Sequence, residues 1–271
     1  MRSRPLVSNA VTRAEVDILV PFFGCYQRLY DLCKSVWYHT KSNRYHLYLI
    51  DDCSPNKTYI PAYKNAPHTV IVQNEQQLGF GAALKRGFDA GKSEWVVFMH
   101  SDCKIETPHW LSELLTIFFK IPNVAMVSPL TDNPGVDNPH LIGKKQEIRG
   151  NYILEKGYLP LYCGLSRRDI YEQIGGFIKP YPFRYYEDEE LAYRMRAYGI
   201  KQVVSGTSWI HHVGAGTTGP LLRAQENRLY DGPDYRKIIE SNREKCIADL
   251  RALQIVGVNR NLELPNTKKT V

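Results

Sequence analysis

Asp102 closes a polar triplet, His100-Ser101-Asp102, that follows the apolar run at residues 95–99 and precedes an amphipathic stretch opening at Trp110. A buried strand should run out into a loop at that point. Open α/β sheets bind ligands at the carboxyl ends of their strands, so a carboxylate placed there is a candidate metal or phosphate-handling group. Three further signals sit at comparable places: Asp51-Asp52 after the apolar residues 47–50, Glu187-Asp188 ahead of a helical pattern, and His211-His212 after a short apolar stretch. Adjacent aspartates at the end of a buried strand repel one another and need donors to hold them. One of the two can equally cap the turn that follows, since Asp-x-Ser-Pro is good turn chemistry.

Two more segments carry chemistry. Residues 79–87 put small side chains at the start of a helix, where a ligand can approach closely; Gly79 allows that approach, and Lys85 or Arg86 could meet phosphate oxygens. Glycine for helix packing and lysine for solvent explain the same residues as well. The four acids at 187–190 exceed what a helix dipole asks of its first turn. A carboxylate among them is therefore a candidate general base.

The elements that must position these groups alternate. Strands are predicted at 16–20 (ended by Pro21), 45–50, 69–73, 95–99 and 123–127, with helices at 26–38, 80–90 and 108–120 and a turn at 53–57. Short strands separated by helical patterns imply right-handed crossovers and a mostly parallel sheet. After Ser128 periodicity fades until about Tyr158, and an irregular stretch of this length is read as part of an acceptor pocket. The pattern resumes with a strand at 159–163, a short helix at 168–173, a break at Gly175-Gly176, a helix at 188–198 ended by Gly199, and a strand at 201–204. Residues 220–249 look largely helical, and the last dozen look frayed.

Composition narrows the class. The chain has 271 residues, 43% hydrophobic and 23% charged, with a formal net charge of +7, which describes an ordinary globular protein with an anionic partner. Nucleic acid is the least supported partner, because no zinc-finger, RNP-type or basic-zipper pattern and no dense Lys/Arg block is present. The six cysteines lack metal-site spacing and read as reduced packing residues. No run approaches the ~20 apolar residues that span a bilayer, and the first residues do not read as a secretory signal. A cytoplasmic site of action is expected, with the cytoplasmic face of a membrane left open by the basic tail (Arg223, Arg228, Arg236, Lys237, Arg243, Lys245), although a solvated helix face accounts for those charges too.

Taken in order, Ile18-Leu-Val-Pro-Phe-Phe23, Leu49-Ile-Asp-Asp-Cys-Ser54, residues 77–87, Val97-Phe-Met-His-Ser-Asp102, Gly175-Gly-Phe177 with Tyr186-Glu-Asp-Glu-Glu-Leu191, and His211-His212 resemble the inverting glycosyltransferases of family 2. The resemblance implies a GT-A fold over residues 16–213, after an extension at 1–15 and before a helical tail at 214–271. Within it, a Rossmann-like nucleotide-sugar-binding half (16–128) precedes an acceptor and catalytic half (129–213). It implies a nucleotide-diphosphate sugar as donor, a glycan, lipid-linked or other hydroxyl as acceptor, and a divalent cation. Mn²⁺ or Mg²⁺ suits the oxygen donors, and Mn²⁺ also accepts imidazole.

The resemblance assigns the groups as follows. Asp102 stands at the metal-binding carboxylate of the family's D-x-D motif, and His212 or His211 supplies the late histidine ligand, with His212 preferred. Asp51 or Asp52 would bind the base or ribose, walled by Pro21, Phe22 and Phe23, while Ser101 and His100 line the donor site. Asp188 becomes the base, Glu187 its neighbour, and Tyr185 and Tyr186 the acceptor contacts. The sequence departs from the pattern at His100, where the family carries an acid: either this imidazole contacts the nucleotide differently, or metal affinity falls. A non-catalytic nucleotide-sugar or glycan-binding module of the same fold and a nucleotidyltransferase are the alternatives. The second usually opens with a Gly-rich basic loop after its first strand, which Pro21-Phe-Phe-Gly-Cys25 is not.

Overall fold

The computed structural model describes residues 10–135, 138–145, 147, 149–154, 158–176, 186–214 and 234–255. In chain order the elements are β1 (Glu15–Phe22), α1 (Tyr26–His39), β2 (Arg44–Asp51), α2 (Ile60–Lys64), β3 (Thr69–Gln73), α3 (Phe80–Ala90), β4 (Trp95–Met99), β5 (Cys103–Ile105), α4 (Trp110–Lys120), β6 (Val124–Thr131), β7 (Tyr152–Ile153), β8 (Cys163–Arg167), α5 (Arg168–Gln173), α6 (Glu187–Ala197), β9 (Lys201–His212) and α7 (Tyr235–Ile255). Among the described residues, nine strands form one sheet in the order β3-β2-β1-β4-β8-β6-β9-β5, and β7 pairs with β9 off this path. The result is a mixed α/β architecture with a large central sheet flanked by helices.

Its parallel character is concentrated in the first half. β3, β2, β1 and β4 are all parallel neighbours, whereas β8 enters antiparallel between β4 and β6. β1 and β4 are buried along almost their whole length, as strands covered on both faces must be. Leu29, Leu32 and Val36 of α1, Ala83, Leu84 and Phe88 of α3, and Trp110, Leu111, Leu114 and Leu115 of α4 supply the covering layers. Gly87 lets α3 lie close, since a Cβ there would meet Ile50 Cδ1 at 2.7 Å.

Several boundaries differ from the sequence reading. β1 runs through Pro21 to Phe22, and its pairing with β4 stops at Leu19, so the missing proline N–H falls where one edge of the strand is free. β6 continues through Pro129 to Thr131 because a register shift with β9 falls between Pro129 and Leu130. That shift also explains β9, which is twelve residues rather than four. Its polar middle, Gly206 to Ser208, leaves the β6 ladder while Gly206 N–H bonds Asn151 and its carbonyl accepts from Arg149 N. The apolar run expected as a strand at 159–163 is a buried lead-in, and the strand itself begins at Cys163. α2 and β5 are too short to show periodicity.

The floor of the sheet is tied by one buried carboxylate. Asp17, with no exposed surface, accepts Ser93 N (2.9 Å), Ser93 Oγ (2.7 Å) and Arg168 Nη2 (2.9 Å). Arg168 also donates to the Phe88 and Ser93 carbonyls and stacks on the Phe88 ring. One ion pair thus joins β1, the α3–β4 turn and the start of α5. Asp17→Ala is expected to lower stability by about 3 kcal/mol, because it removes the counter-charge of the largely buried Arg168 guanidinium and the acceptor of both Ser93 donors. The check is a fall in the urea midpoint at unchanged m-value; a change under 1 kcal/mol would refute it.

Candidate active site

The two aspartates after β2 are both saturated by protein donors. Asp51 accepts Ser54 N (2.7 Å) and Tyr59 Oη (2.6 Å) and pairs with Lys57. Burial alone would raise its pKa, but the Lys57, Ser54 and Tyr59 hydrogen bonds outweigh it and hold the carboxyl below its ordinary value. Asp52 reaches the other way: Oδ1 accepts Asn74 Nδ2 (2.9 Å) and Leu78 N (2.8 Å), and Oδ2 accepts Gly79 N (2.8 Å). Gly79, at φ 92°, is the residue capping α3. Asp52 therefore fixes the loop that opens α3.

At the neighbouring strand ends, His100, Asp102 and His212 converge, with one ligand atom of each lying within 4.8 Å of the others. His212 Nε2 is 3.2 Å from His100 Nδ1 and 3.4 Å from Asp102 Oδ1. The other ring nitrogen, His212 Nδ1, sits 2.6 Å from the Asn133 carbonyl, which can only accept. That bond places the proton on Nδ1 and turns the Nε2 lone pair toward His100 and Asp102, as in histidines that bind metals. The ring lies stacked on Tyr162, centroids 5.4 Å apart. Two imidazoles and a carboxylate make a donor set that fits a divalent cation with affinity for nitrogen as well as oxygen.

His211 points elsewhere. Successive side chains of a strand face opposite sides, and its ring, 40% exposed, pairs with Asp132 Oδ2 while Asp132 Oδ1 accepts His212 N. Only one of the two histidines can join the cluster, and it is His212.

Glu187 and Asp188 open α6, behind Tyr186 in the left-handed region (φ 75°). Asp188 is half-buried as a residue, but its carboxyl lies deep in protein. Desolvation pushes its pKa up to about 6, opposed by backbone N–H groups of Asp188, Glu189 and Leu161. Leu161 leads toward the His100–Asp102–His212 cluster. The next residue, Tyr162, accepts His100 N at its carbonyl (3.0 Å) and supports the His212 ring on its own. A second link runs through α3: Phe80 packs edge-on against His100 (4.8 Å), and Glu187 packs over Gly81. The His100–Asp102–His212 cluster and the start of α6 thus both adjoin α3.

Other sequence candidates are placed less centrally. Pro21 and Phe22 are buried, Phe22 edge-on to Tyr59, and Phe23 is half-buried beside them. Ser101 is buried in the turn between Asp102 and His100. Lys85 and Arg86 are exposed on α3, and Lys85 pairs with Asp89 (2.6 Å). Tyr186 caps α6, whereas Tyr185, Phe177 and the expected helical start at 220–233 lie outside the described residues. The sequence reading counts Tyr162 among aromatics that could stack on sugar faces, but it is fully buried and supports His212; Asn133 and Arg194 were missed. Arg194 pairs with Glu190 and donates to the Ile174 and Gly176 carbonyls, which straps α6 to the Gly175-Gly176 turn. The turn chemistry of Thr131-Asp-Asn-Pro-Gly135 marked Asn133's loop, but nothing in it names its partner.

A family model described as Glycosyl transferase family 2 matches residues 17–175. Among solved structures, that of GalNAc-T7 with UDP, GalNAc and Mn²⁺ is similar with a TM-score of 0.59 at 16% identity, over 91% of this chain and 52% of that one. The mannosyltransferase PcManGT from Pyrobaculum calidifontis, in complex with GDP-Man and Mn²⁺, is similar with a TM-score of 0.57 at 15% identity, over 89% of this chain and 75% of that one. The chain spans about half the length of the first. At such identities the likeness is one of fold. No curated protein matches the sequence.

Asp52→Ala leaves three donors of the α3-opening loop without an acceptor. We expect a stability loss of about 2–3 kcal/mol and faster amide exchange at Leu78 and Gly79. Unchanged exchange at those two amides would contradict the role given to Asp52.

Proposed function

Because the chain belongs to glycosyl transferase family 2, we propose that it transfers a sugar from a nucleotide-diphosphate sugar to a hydroxyl acceptor with inversion at the anomeric carbon. The observation that carries this reading is the convergence of His100, Asp102 and His212 at the strand ends, with the N–H of Leu161, one residue before the Tyr162 that supports His212, favouring the ionised form of Asp188. Residues 16–128 are assigned to the donor and 129–213 to the acceptor.

In this scheme the acceptor hydroxyl attacks from the face opposite the diphosphate. The new C–O bond forms as the bond to the leaving phosphate oxygen breaks, and the hydroxyl proton passes to the Asp188 carboxylate. A carboxyl poised near pH 6 is ionised at neutral pH yet basic enough to share that proton in the transition state. Glu187, packed over Gly81, orients the acceptor side, with Tyr186 and Tyr185 as acceptor contacts. A divalent cation held by His100, Asp102 and His212 would supply positive charge for the departing diphosphate. Pro21, Phe22 and Phe23 wall the base. Asp51 and Asp52 shape the donor pocket through the loops they hold, and Gly79, Ser101, Lys85 and Arg86 complete the donor side.

The acceptor is proposed to be a glycan or a lipid-linked hydroxyl, with no nucleic acid partner. No described helix is long and apolar enough to cross a membrane. Action in the cytoplasm or at the cytoplasmic face of a membrane is part of the proposal.

Asp188→Asn should cut kcat by roughly 10²–10⁴-fold while UDP or GDP binding survives. In the wild type, kcat should rise with pH through about 6 and level off above it, because the ionised carboxylate is the active form. Retention of turnover in Asp188→Asn, or a flat profile across pH 5–7, would sink the assignment.

Two imidazoles favour Mn²⁺ over Mg²⁺. Titrated by Mn²⁺ EPR, His212→Ala and Asp102→Ala should each weaken binding at least about 10-fold, and His211→Ala should stay within about threefold. Equal losses for His211→Ala and His212→Ala would overturn the ligand set.

A further inference from the structure

A concave site lies beside β5. It is a cleft of about 740 Å³ between the C-terminal half of α1, strand β5 and the loop at Lys145, a volume in the range of ligand pockets. Four lysines from separate segments face it: Lys34 and Lys41 from α1 and the turn after it, Lys104 from β5, and Lys145. Against them stand two carboxylates, Asp31 and Glu106. Glu106 is shared, with Lys104 Nζ at 2.8 Å and Lys145 Nζ at 2.7 Å. Lys34 and Lys41 have no carboxylate within salt-bridge distance among the described residues, and each lies over a tyrosine face, 5.4 Å from the Tyr30 ring and 5.0 Å from that of Tyr38.

The cleft is thus positive by about two charges, counting four lysines against two carboxylates. His39, which also lines it, is pushed below its usual pKa first by burial and then by Lys145. Aromatic surface completes the lining. Trp37 is half-buried in the wall, and Tyr38 stands 68% exposed at the rim. Ammonium groups spaced along a groove suit carboxylate or phosphate groups spaced along a ligand, and flat rings suit the C–H faces of pyranose units. Apolar chains fit this lining poorly.

We infer that this cleft binds an acidic oligosaccharide, with Lys34, Lys41, Lys104 and Lys145 holding its anionic groups and Trp37 and Tyr38 its sugar faces. It is separate from the donor site. It sits beside it, since β5 begins at the residue after Asp102. The inference goes beyond the transfer reaction and does not require turnover.

The test is calorimetry with the full chain in EDTA at low salt, using trigalacturonate as the probe and maltotriose as its neutral counterpart. Trigalacturonate should bind at least 10-fold more tightly than maltotriose. Lys34→Ala/Lys41→Ala should weaken it at least 10-fold, and Glu106→Gln, which releases Lys104 and Lys145 from their shared partner, should tighten it at least threefold. Both variants should bind UDP or GDP with Mn²⁺ as the wild type does, which separates failure of the cleft from failure of the donor site. The inference is overturned if the wild type ignores trigalacturonate, if the lysine variant binds it within twofold of wild type, or if the lysines matter only for binding phosphatidylglycerol vesicles. The last result would assign the surface to lipid.

Discussion

Everything in the candidate site depends on how the chain enters β8. At Tyr162 the carbonyl accepts the His100 N–H and the ring face supports His212, while the N–H of the residue before it, Leu161, favours the ionised form of Asp188. Tyr162 is itself immobilised, since its hydroxyl donates to the Pro129 carbonyl at 2.7 Å and the residue has no exposed surface. Strand β8 lies between β4 and β6, so the step leading into it is the natural meeting place for groups from both halves of the chain. Close packing leaves such a step little freedom to drift.

The carboxylates of this protein divide by what surrounds them. Asp17, Asp51 and Asp52 are met by strong donors, including an arginine and a lysine, and they hold loops and turns in place. Asp188 is offered backbone N–H groups against a large desolvation cost, which pushes it toward neutrality, whereas Asp51 is held the other way. A carboxyl left in that condition is a poor structural clasp and a good candidate for chemistry. The contrast separates scaffold from candidate machinery without reference to any ligand.

Most of the first half was legible because its strands and helices are amphipathic or fully apolar over whole turns, and α3, β4 and α5 fall where periodicity places them. The second half was harder to read for physical reasons. β9 hides a strand behind Ser205-Gly-Thr-Ser208, since a register shift lets polar residues leave the ladder without ending the strand. The run from Tyr158 to Cys163 looks like a strand because it is apolar and buried, yet its backbone serves side chains and loops before pairing begins. At the site, the sequence favoured His212 over His211 but gave no geometry to decide between them. The choice came from strand alternation and from the Asn133 carbonyl, a contact 79 residues away in sequence. His100 was read as a departure from a pattern, and the structure brings it within reach of Asp102 and His212.

The sheet's edges carry a consequence of their own. One border is β5, three residues long with Lys104 exposed at its centre; the other is β3, which ends at an exposed glutamine, Gln73. A nine-stranded sheet this rich in apolar strands would otherwise offer unpaired backbone as a template for other chains. A very short border bearing a charge denies a second molecule the length of ladder it would need, so resistance to aggregation is built into the same strand that follows Asp102.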